Sequence, residues 1–430
     1  MSSLVSIACS GKLRVGGSEH GLFHSSWRPR SLWVVIWAMM LFAPSIMLGF
    51  TETQSKFSLA SIICALYVFW HLLFRPLPPL KGICGLSLLL MFYLLVHGIV
   101  LTLWKGNLII LLLEGQWIAY LLAGFLLTRD IVQEMADVEW VGTVLIGLGL
   151  IASILGVVSI WTGPFYSYAN HFEGRWGLPI GRACGTFESP PMLAGFLTIA
   201  LVLSFFTPSA GGRTFRRHAG LVLMIVTLLL TQSKGGILAC FMAIVVGIPI
   251  MAKTAAKRRA VVAKILYVAI FLGAIGYVSS AYLIDFRGLF ADDAQSRTEL
   301  GESILNDFQA DGLVPQLIGI GYRQSATIDP ETGMWFPAHN SYISFLRETG
   351  IVGSILIGGF LSLSLFGLIS RKHLSWTFAL LALLIISYTA EFLYGSYSVF
   401  FLGCIGAIAT RVGQLSFDSL ETYAARPEPA

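Results

Sequence analysis

The sequence predicts an all-α protein that crosses a membrane many times. Of its 430 residues, 56% are hydrophobic and only 12% are charged, which is far more apolar than a soluble domain of this size. The mean hydropathy is strongly positive. The apolar residues also form long runs, and about 20 such residues allow one helix to cross the hydrocarbon core. These three observations indicate a polytopic membrane protein.

About twelve apolar runs are long enough to be spanning helices. The tenth run is the longest, and we expect it to begin as a shorter helix before its membrane part. The glycines in this run are predicted to let helices approach each other; they are Gly350, Gly353, Gly358 and Gly359. The predicted spans are 32–50, 57–75, 84–104, 108–128, 139–162, 190–207, 218–233, 235–252, 262–284, 343–370, 374–391 and 393–410.

The basic residues predict the orientation. If the N-terminus is cytoplasmic and successive spans alternate in direction, most of the 28 Lys and Arg residues fall on the cytoplasmic side, and so does the C-terminus. No cleavage pattern precedes the first span, so we interpret it as uncleaved. The predicted divisions are a cytoplasmic segment 1–31, nine spans in 32–284 with an outer loop 163–189, a large outer loop 285–342 that carries the site, three spans in 343–410, and a cytoplasmic tail 411–430.

Arginines accumulate on the outer side, from which basic residues are normally excluded. They lie in the two long outer loops and directly after the second one. A guanidinium offers a rigid fork of donors that suits phosphate oxygens. Several arginines around one outer cavity would therefore bind a phosphate or pyrophosphate group, although ion pairs of Arg182 and Arg297 with nearby glutamates are an alternative. The candidates are Arg175, Arg182, Arg297, Arg323 and Arg347.

The second outer loop contains a predicted amphipathic helix, "SRTELGESILNDFQA", followed by a glycine turn. Gly319 and Gly321 permit that turn. The apolar face of the helix has helical spacing and consists of Leu300, Ile304, Leu305 and Phe308. The carboxylates of this loop could hold a divalent metal, but most of them fall on the predicted solvent face and arginines are already plentiful, so we disfavour a metal.

Two further groups stand out on the outer side. Lys234 lies in a short turn between two spans, where a polar site and a snorkelling lysine are both possible. His339, with Asn340, ends the second loop. Its imidazole could take the proton from an attacking hydroxyl or could cap the next helix, a role that Asn340 can fill as well. His171 is predicted to be an ordinary loop residue. A cationic pocket with one base predicts group transfer from a phosphate-linked donor.

Several common chemistries have no sequence support. The chain has no GxxxxGK[ST], HExxH, GxSxG or GxGxxG motif, so nucleotide hydrolysis, zinc proteolysis and serine hydrolysis are not indicated. The six cysteines are scattered and lie mostly inside spans, without metal-type or disulfide-type spacing, and are predicted to be small core residues.

Three segments resemble the O-antigen ligase and polymerase superfamily. "AHNSYISFLRETGIVGSILI" resembles its signature of a His-Asn pair, an aromatic residue two positions on, and Glu-x-Gly. "RACGTFESPPMLAGFL" resembles its Arg-x-x-Gly-Thr-Phe segment, and "TQSKGGILA" its Ser-Arg-Gly segment. Two positions depart from the pattern, since Lys234 replaces the usual arginine and Ser189 the usual asparagine.

The resemblance implies a GT-C-type glycosyltransferase of the bacterial inner membrane with a periplasmic active site. Its donor would be a glycan on undecaprenyl pyrophosphate and its acceptor lipid A-core, among membrane lipids, with no metal, cofactor or nucleic acid. By position, His339, Arg182 and Arg297 would be catalytic. The expected substrate-binding residues are Arg175, Lys234, Arg323, Asn340, Tyr342 and Arg347.

Two other functions stay open at this point. A polymerase of O-antigen or exopolysaccharide would use the same donor with a second polyprenyl-linked glycan as acceptor. A compact chain with only two substantial outer loops favours the ligase. An anion or solute transporter is the alternative of another class, but few basic and acidic residues lie inside the predicted spans, where a permeation route would need them.

Overall fold

The computed structural model of the protein consists almost wholly of helices. It describes residues 29–42, 59–76, 82–163, 181–187, 189–207, 214–251, 301–321, 327–328, 335–336, 340–370, 373–390, 393 and 395–424. The first eight helices are α1 (Pro29–Phe42), α2 (Leu59–Phe74), α3 (Gly82–Lys105), α4 (Leu108–Ile131), α5 (Met135–Thr162), α6 (Pro190–Phe206), α7 (Thr214–Leu230) and α8 (Lys234–Met251). The later elements are α9 (301–310), α10 (Leu313–Ile318), β1 (Thr327–Ile328), β2 (Trp335–Phe336), α11 (Ser341–Ser370), α12 (Leu374–Thr389) and α13 (Ser396–Ala424).

The multi-pass prediction is confirmed. By length and composition, α3, α4, α5 and α11 could each cross a membrane, and several shorter apolar helices accompany them. The helix bounds agree with the predicted spans to within about four residues, except at two helices. Helix α1 is described only as far as Phe42, so the end of the span 32–50 lies outside the described residues, and α13 continues to Ala424, into the predicted tail. The predicted span 262–284 lies outside the described residues, so the count of twelve stays a prediction.

The centre of the bundle is the contact between α4 and α13. A Cβ added to Gly124 would lie 2.2 Å from the carbonyl oxygen of Phe400, and one added to Gly403 would lie 2.2 Å from that of Leu121. Only glycine allows the two backbones to come this close. Helix α1 closes this core with Trp37, whose ring meets that of Phe400 edge-on at 5.4 Å.

Helix α11 is broken at Gly350, which confirms that it begins as a shorter helix. Gly350 has φ 67° and ψ −173°, and Gly319 has φ 91° and ψ 175°, a region of backbone conformation that is essentially restricted to glycine. A Cβ at Gly319 would lie 2.1 Å from the carbonyl oxygen of Glu348, and one at Gly350 would lie 2.3 Å from that of Leu317. We call this backbone contact the glycine joint.

Hydrogen bonds from two directions hold the glycine joint. The backbone N–H groups of Ile320 and Gly321 donate to the carbonyls of Arg347 and Glu348, each at 3.0 Å. From α3, the Tyr93 hydroxyl lies 2.6 Å from the carbonyl oxygen of Thr349 and 3.0 Å from that of Ile318. Carbonyls freed by the break thus gain partners, as buried backbone groups require. The predicted turn at Gly319 and Gly321 is confirmed, since both have positive φ.

The predicted amphipathic helix of the second loop is confirmed over its described part, α9. Ile304 is fully buried, and Leu305 and Phe308 are half-buried. Gly301 on the same helix faces Ile343 of α11. Leu300 and Arg297 lie outside the described residues. Helix α9 therefore lies against the part of α11 that precedes the glycine joint.

The predicted role of the later glycines in α11 is confirmed only in part. A Cβ at Gly353 would lie 2.9 Å from the Tyr93 ring, and one at Gly359 would lie 3.1 Å from Leu86. The prediction is wrong for Gly358, where an added Cβ would meet nothing within 4 Å. Gly350 serves the joint instead, because its backbone conformation breaks the helix.

Glycine should be required at the joint and not at Gly358. We expect Gly319→Ala to destabilise the protein by about 1–3 kcal/mol or more, because the new Cβ would clash with the carbonyl of Glu348 and the backbone would be strained. Gly358→Ala is the matched control in the same region and should stabilise α11 by about 0.5–1 kcal/mol. Thermal unfolding in detergent, followed by circular dichroism, compares the two. Equal melting temperatures for both variants would contradict the importance of the joint.

Candidate active site

Arg182 is buried against the end of α7. Its side chain is only 7% exposed, and its Nε–H donates to the carbonyl oxygen of Thr231 at 3.0 Å. The next residue, Ala183, donates its backbone N–H to the carbonyl of Leu230 at 2.9 Å. The segment 181–187, the last part of the first outer loop, is thus paired with the turn between α7 and α8.

Helix α5 supports the same segment from the other side. Gly185 has φ 58° and lies so close to α5 that an added Cβ would be 3.1 Å from the backbone nitrogen of Gly156. The Ser159 hydroxyl accepts hydrogen bonds from the backbone N–H groups of Cys184 and Gly185. Burial raises the pKa of the Cys184 thiol, so this cysteine stays neutral and acts as a small core residue. The position of Arg182 is therefore fixed by several contacts.

The turn between α7 and α8 is tight and buried. Gln232 takes the left-handed conformation, with φ 51°, and is buried together with Thr231 and Ser233. Lys234, half-buried, is the first residue of α8. The glycine that follows it, Gly235, lies against Thr389 at the end of α12, where a Cβ would fall 1.9 Å from the hydroxyl oxygen.

Asn340 is the N-cap of α11. Its side-chain oxygen accepts from the backbone N–H groups of Tyr342 and Ile343 at 3.0 and 3.3 Å. The Ser341 hydroxyl donates to the carbonyl of Ala390 at 2.9 Å and accepts from the N–H of Leu393 at 3.2 Å. The start of α11 is thereby tied to the loop that follows α12. His339 precedes this cap directly and lies outside the described residues.

These contacts bring three of the predicted site segments to one end of the bundle. Arg182 bonds to Thr231 in the turn between α7 and α8. Gly235, just after that turn, contacts Thr389 at the end of α12, and Ser341 bonds to Ala390, the next residue along the chain. The hydroxyl of Tyr342 donates to the carbonyl of Leu384 in α12 at 2.7 Å. The candidates Arg175, Arg297 and Arg323, and also His171, lie outside the described residues.

Arg347 is paired with carboxylates of the second outer loop. Its Nη1 lies 3.0 Å from Asp307 on α9, and its Nε lies 3.9 Å from Asp311. The guanidinium is mostly buried, while Asp307 is about half exposed. The sequence suggested a substrate-binding role for Arg347. The structure gives this residue a contact that joins α9 to α11.

Sequence reasoning missed two histidine–carboxylate pairs within the helices. His97 on α3 and Glu114 on α4 lie 2.8 Å apart, and both side chains are 1% exposed. The ring of His97 stacks on Tyr93, the residue that reaches the glycine joint. A second pair joins His71 to Asp130 at 3.6 Å. The available signal was simply an ionisable residue inside an apolar run, which needs a partner in the membrane.

The contact between Arg347 and Asp307 should be visible as energetic coupling. We expect Arg347→Asp and Asp307→Arg each to lower the melting temperature, because each leaves like charges close together. The double variant should recover much of the loss, since it restores opposite charges in exchanged positions. Glu302→Arg, which adds the same charge at another exposed position of α9, is the control and should not rescue Arg347→Asp. Additive losses in the double variant would contradict the pair.

One family model matches part of the chain, and the match includes segments of the site described above. Residues 219–358 match the model of a family described as O-antigen ligase. No curated protein matches the chain significantly. The matched region includes Lys234, Asn340 and the glycine joint, whereas Arg182 precedes it. The match supports the resemblance carried by two of the three motifs, those around Lys234 and Asn340, and residues 219–358 are thus similar to the O-antigen ligase family.

Proposed function

We propose that this protein is an O-antigen ligase. It would transfer a glycan from undecaprenyl pyrophosphate to a sugar hydroxyl of lipid A-core at the periplasmic face of the bacterial inner membrane. One observation carries the proposal: the contacts of Arg182, Gly235 and Ser341 gather three segments of the family resemblance at one end of the bundle. The family match supports the same class of membrane enzyme.

The helix directions at this end favour a negatively charged donor. Helices α6, α8 and α11 begin at Pro190, Lys234 and Ser341. Their first turns lie near one another, because Gly236 of α8 lies against Ala194 of α6, and Gly235 and Ser341 both contact the end of α12. The first backbone N–H groups of a helix and its dipole attract anions. Contacts between the helices support the convergence, since the Thr198 hydroxyl of α6 donates to the carbonyl of Gly236 in α8 at 3.0 Å. A pyrophosphate would find a positive potential there.

The proposed donor site combines these helix ends with cationic side chains. Arg182 and Arg297 would hold the pyrophosphate, assisted by Arg175, Arg323 and Lys234. Burial of Arg182 supports this role, because a charge in a low-dielectric setting acts more strongly on a nearby phosphate. Such groups stabilise the negative charge that develops as the pyrophosphate leaves. The proposed reaction therefore needs no metal ion.

The proposed acceptor side is the start of α11. The acceptor oxygen would bond to the anomeric carbon while the bond from that carbon to the pyrophosphate oxygen breaks, which inverts the configuration. The bonding electron pair leaves with undecaprenyl pyrophosphate. His339 would take the hydroxyl proton or orient the hydroxyl. The caps formed by Asn340 and Ser341 support this role because they fix the backbone directly after His339.

The distribution of basic residues along the sequence supports the proposed architecture. A GT-C-type bundle of about twelve spans would have both termini in the cytoplasm and loops 163–189 and 285–342 in the periplasm. A polymerase would share the donor site and differ in its acceptor, a second polyprenyl-linked glycan. The motifs of the superfamily are common to both enzymes, so the product must distinguish them.

Lipopolysaccharide from a strain that lacks the gene tests the proposal. We expect the O-antigen ladder to disappear on a gel while the polyprenyl-linked glycan accumulates. The gene should restore the ladder, and His339→Ala should not, although the variant still inserts into the membrane. His218→Ala is the control, because His218 lies on α7 thirteen residues before Thr231, about 20 Å along a helix. A core that carries a single repeat would indicate a polymerase, and an unchanged ladder would exclude both functions.

Variants of Asn340 separate capping from substrate binding. Asn340→Asp keeps an oxygen that caps α11 but removes the amide donors, so stability should be retained while transfer falls if the amide binds the substrate. Asn340→Ala should lose both properties and destabilise the protein by about 1 kcal/mol. Melting temperature and transfer by the purified protein are measured for the two variants. Full transfer by Asn340→Asp would restrict this residue to capping.

A further inference from the structure

Helix α10 exposes an apolar face although it lies outside the predicted spans. Leu313, Val314 and Leu317 are 71%, 54% and 39% exposed. Their spacing places them on one side of the helix. The other side is held to the end of α9, because the Nε2 of Gln316 lies 2.9–3.2 Å from the carbonyl oxygens of Phe308, Gln309 and Asp311, among which its two N–H groups are shared. The apolar face is thus turned away from α9.

The glycine joint gives the height of α10 relative to the membrane. After the break at Gly350, residues 351–370 continue as one helix within the candidate membrane span Ser341–Ser370. Twenty residues of helix extend about 30 Å, which equals the thickness of the hydrocarbon core. Gly350 therefore lies at the outer edge of that core. The end of α10 lies at the same level, because Leu317 contacts Gly350 through its carbonyl oxygen.

Helix α3 gives the same height independently. Lys105, its last residue, donates from Nζ to the carbonyl of Ile320 at 2.7 Å, just beyond α10. Trp104 beside it is exposed. Tryptophan and lysine at the end of a spanning helix are typical of the membrane interface. Two elements that cross the membrane thus place α10 at the interface.

We propose that the apolar face of α10 lies in the outer leaflet, at the boundary between headgroups and acyl chains, and that bilayer lipid covers it. The neighbouring helices also expose apolar side chains, among them Leu103 on α3 and Ile355 on α11, which would be covered by the same lipid. The lipid contact would fix the glycine joint, and with it the second outer loop, at a constant height above the membrane. This inference does not depend on the reaction that the protein catalyses.

Nitroxide labels on single cysteines test the placement of α10. The cysteines of the described part are buried, and Cys9→Ser removes the sixth. Leu313→Cys and Leu317→Cys are labelled in the full protein in phosphatidylglycerol–phosphatidylcholine vesicles. Leu103→Cys serves as the lipid-facing control, and Glu302→Cys as the water-facing control. Collisions of each label with oxygen, which prefers the membrane, and with a nickel chelate, which prefers water, are compared by electron paramagnetic resonance.

We expect the ratio of oxygen to nickel accessibility at both α10 labels to approach that at Leu103 and to be severalfold higher than at Glu302. A ratio similar to that at Glu302 would overturn the proposal, since α10 would then lie in water. Protection from both reagents with spin–spin broadening would also overturn it, because a second copy of the chain would then cover the face. Two labelled positions guard against a local effect of one substitution.

Discussion

The arrangement of α9, α10 and the first part of α11 depends on the close approach of Gly319 and Gly350. Because neither residue has a Cβ, two backbones can touch where any side chain would separate them. The break in α11 follows from this contact, and α3 reaches it with Tyr93. The part of α11 before the break, which begins at the Asn340 cap, is therefore positioned by a contact nine to ten residues away. The start of α11 and the described helices α9 and α10 are therefore held together by this contact and by the pairing of Arg347 with Asp307.

Polar and charged side chains have different kinds of partner inside the bundle and near the Arg182 segment. Inside the bundle, His97 and Glu114 lie 2.8 Å apart, so each polar side chain has the other as a direct partner, as a polar group within apolar helices requires. Arg347 is balanced by the carboxylates of α9. Arg182 instead donates to the backbone carbonyl of Thr231 in the turn before α8. In the proposed function, the N-termini of α6, α8 and α11 would add positive potential to that of Arg182.

Much of the helical organisation could be predicted from sequence, because a spanning helix is identified by the length of its own apolar run. The bounds of α3, α4 and α5 therefore agree closely with the predicted spans. The glycines of α11 could not be assigned in the same way. Gly350 and Gly358 look alike in sequence, yet one meets a backbone carbonyl and the other meets nothing within 4 Å. That difference depends on a partner distant in the chain.

The sequence by itself determined that this protein crosses a membrane many times and that its motifs resemble those of O-antigen ligases, since hydropathy and short motifs are local properties. Only the tertiary structure decided which polar residues meet. It pairs Arg347 with Asp307 and His97 with Glu114, and it joins Arg182 to the turn that ends at Lys234. These pairings depend on helix packing, in which residues far apart in the chain become neighbours because their helices bury complementary surfaces.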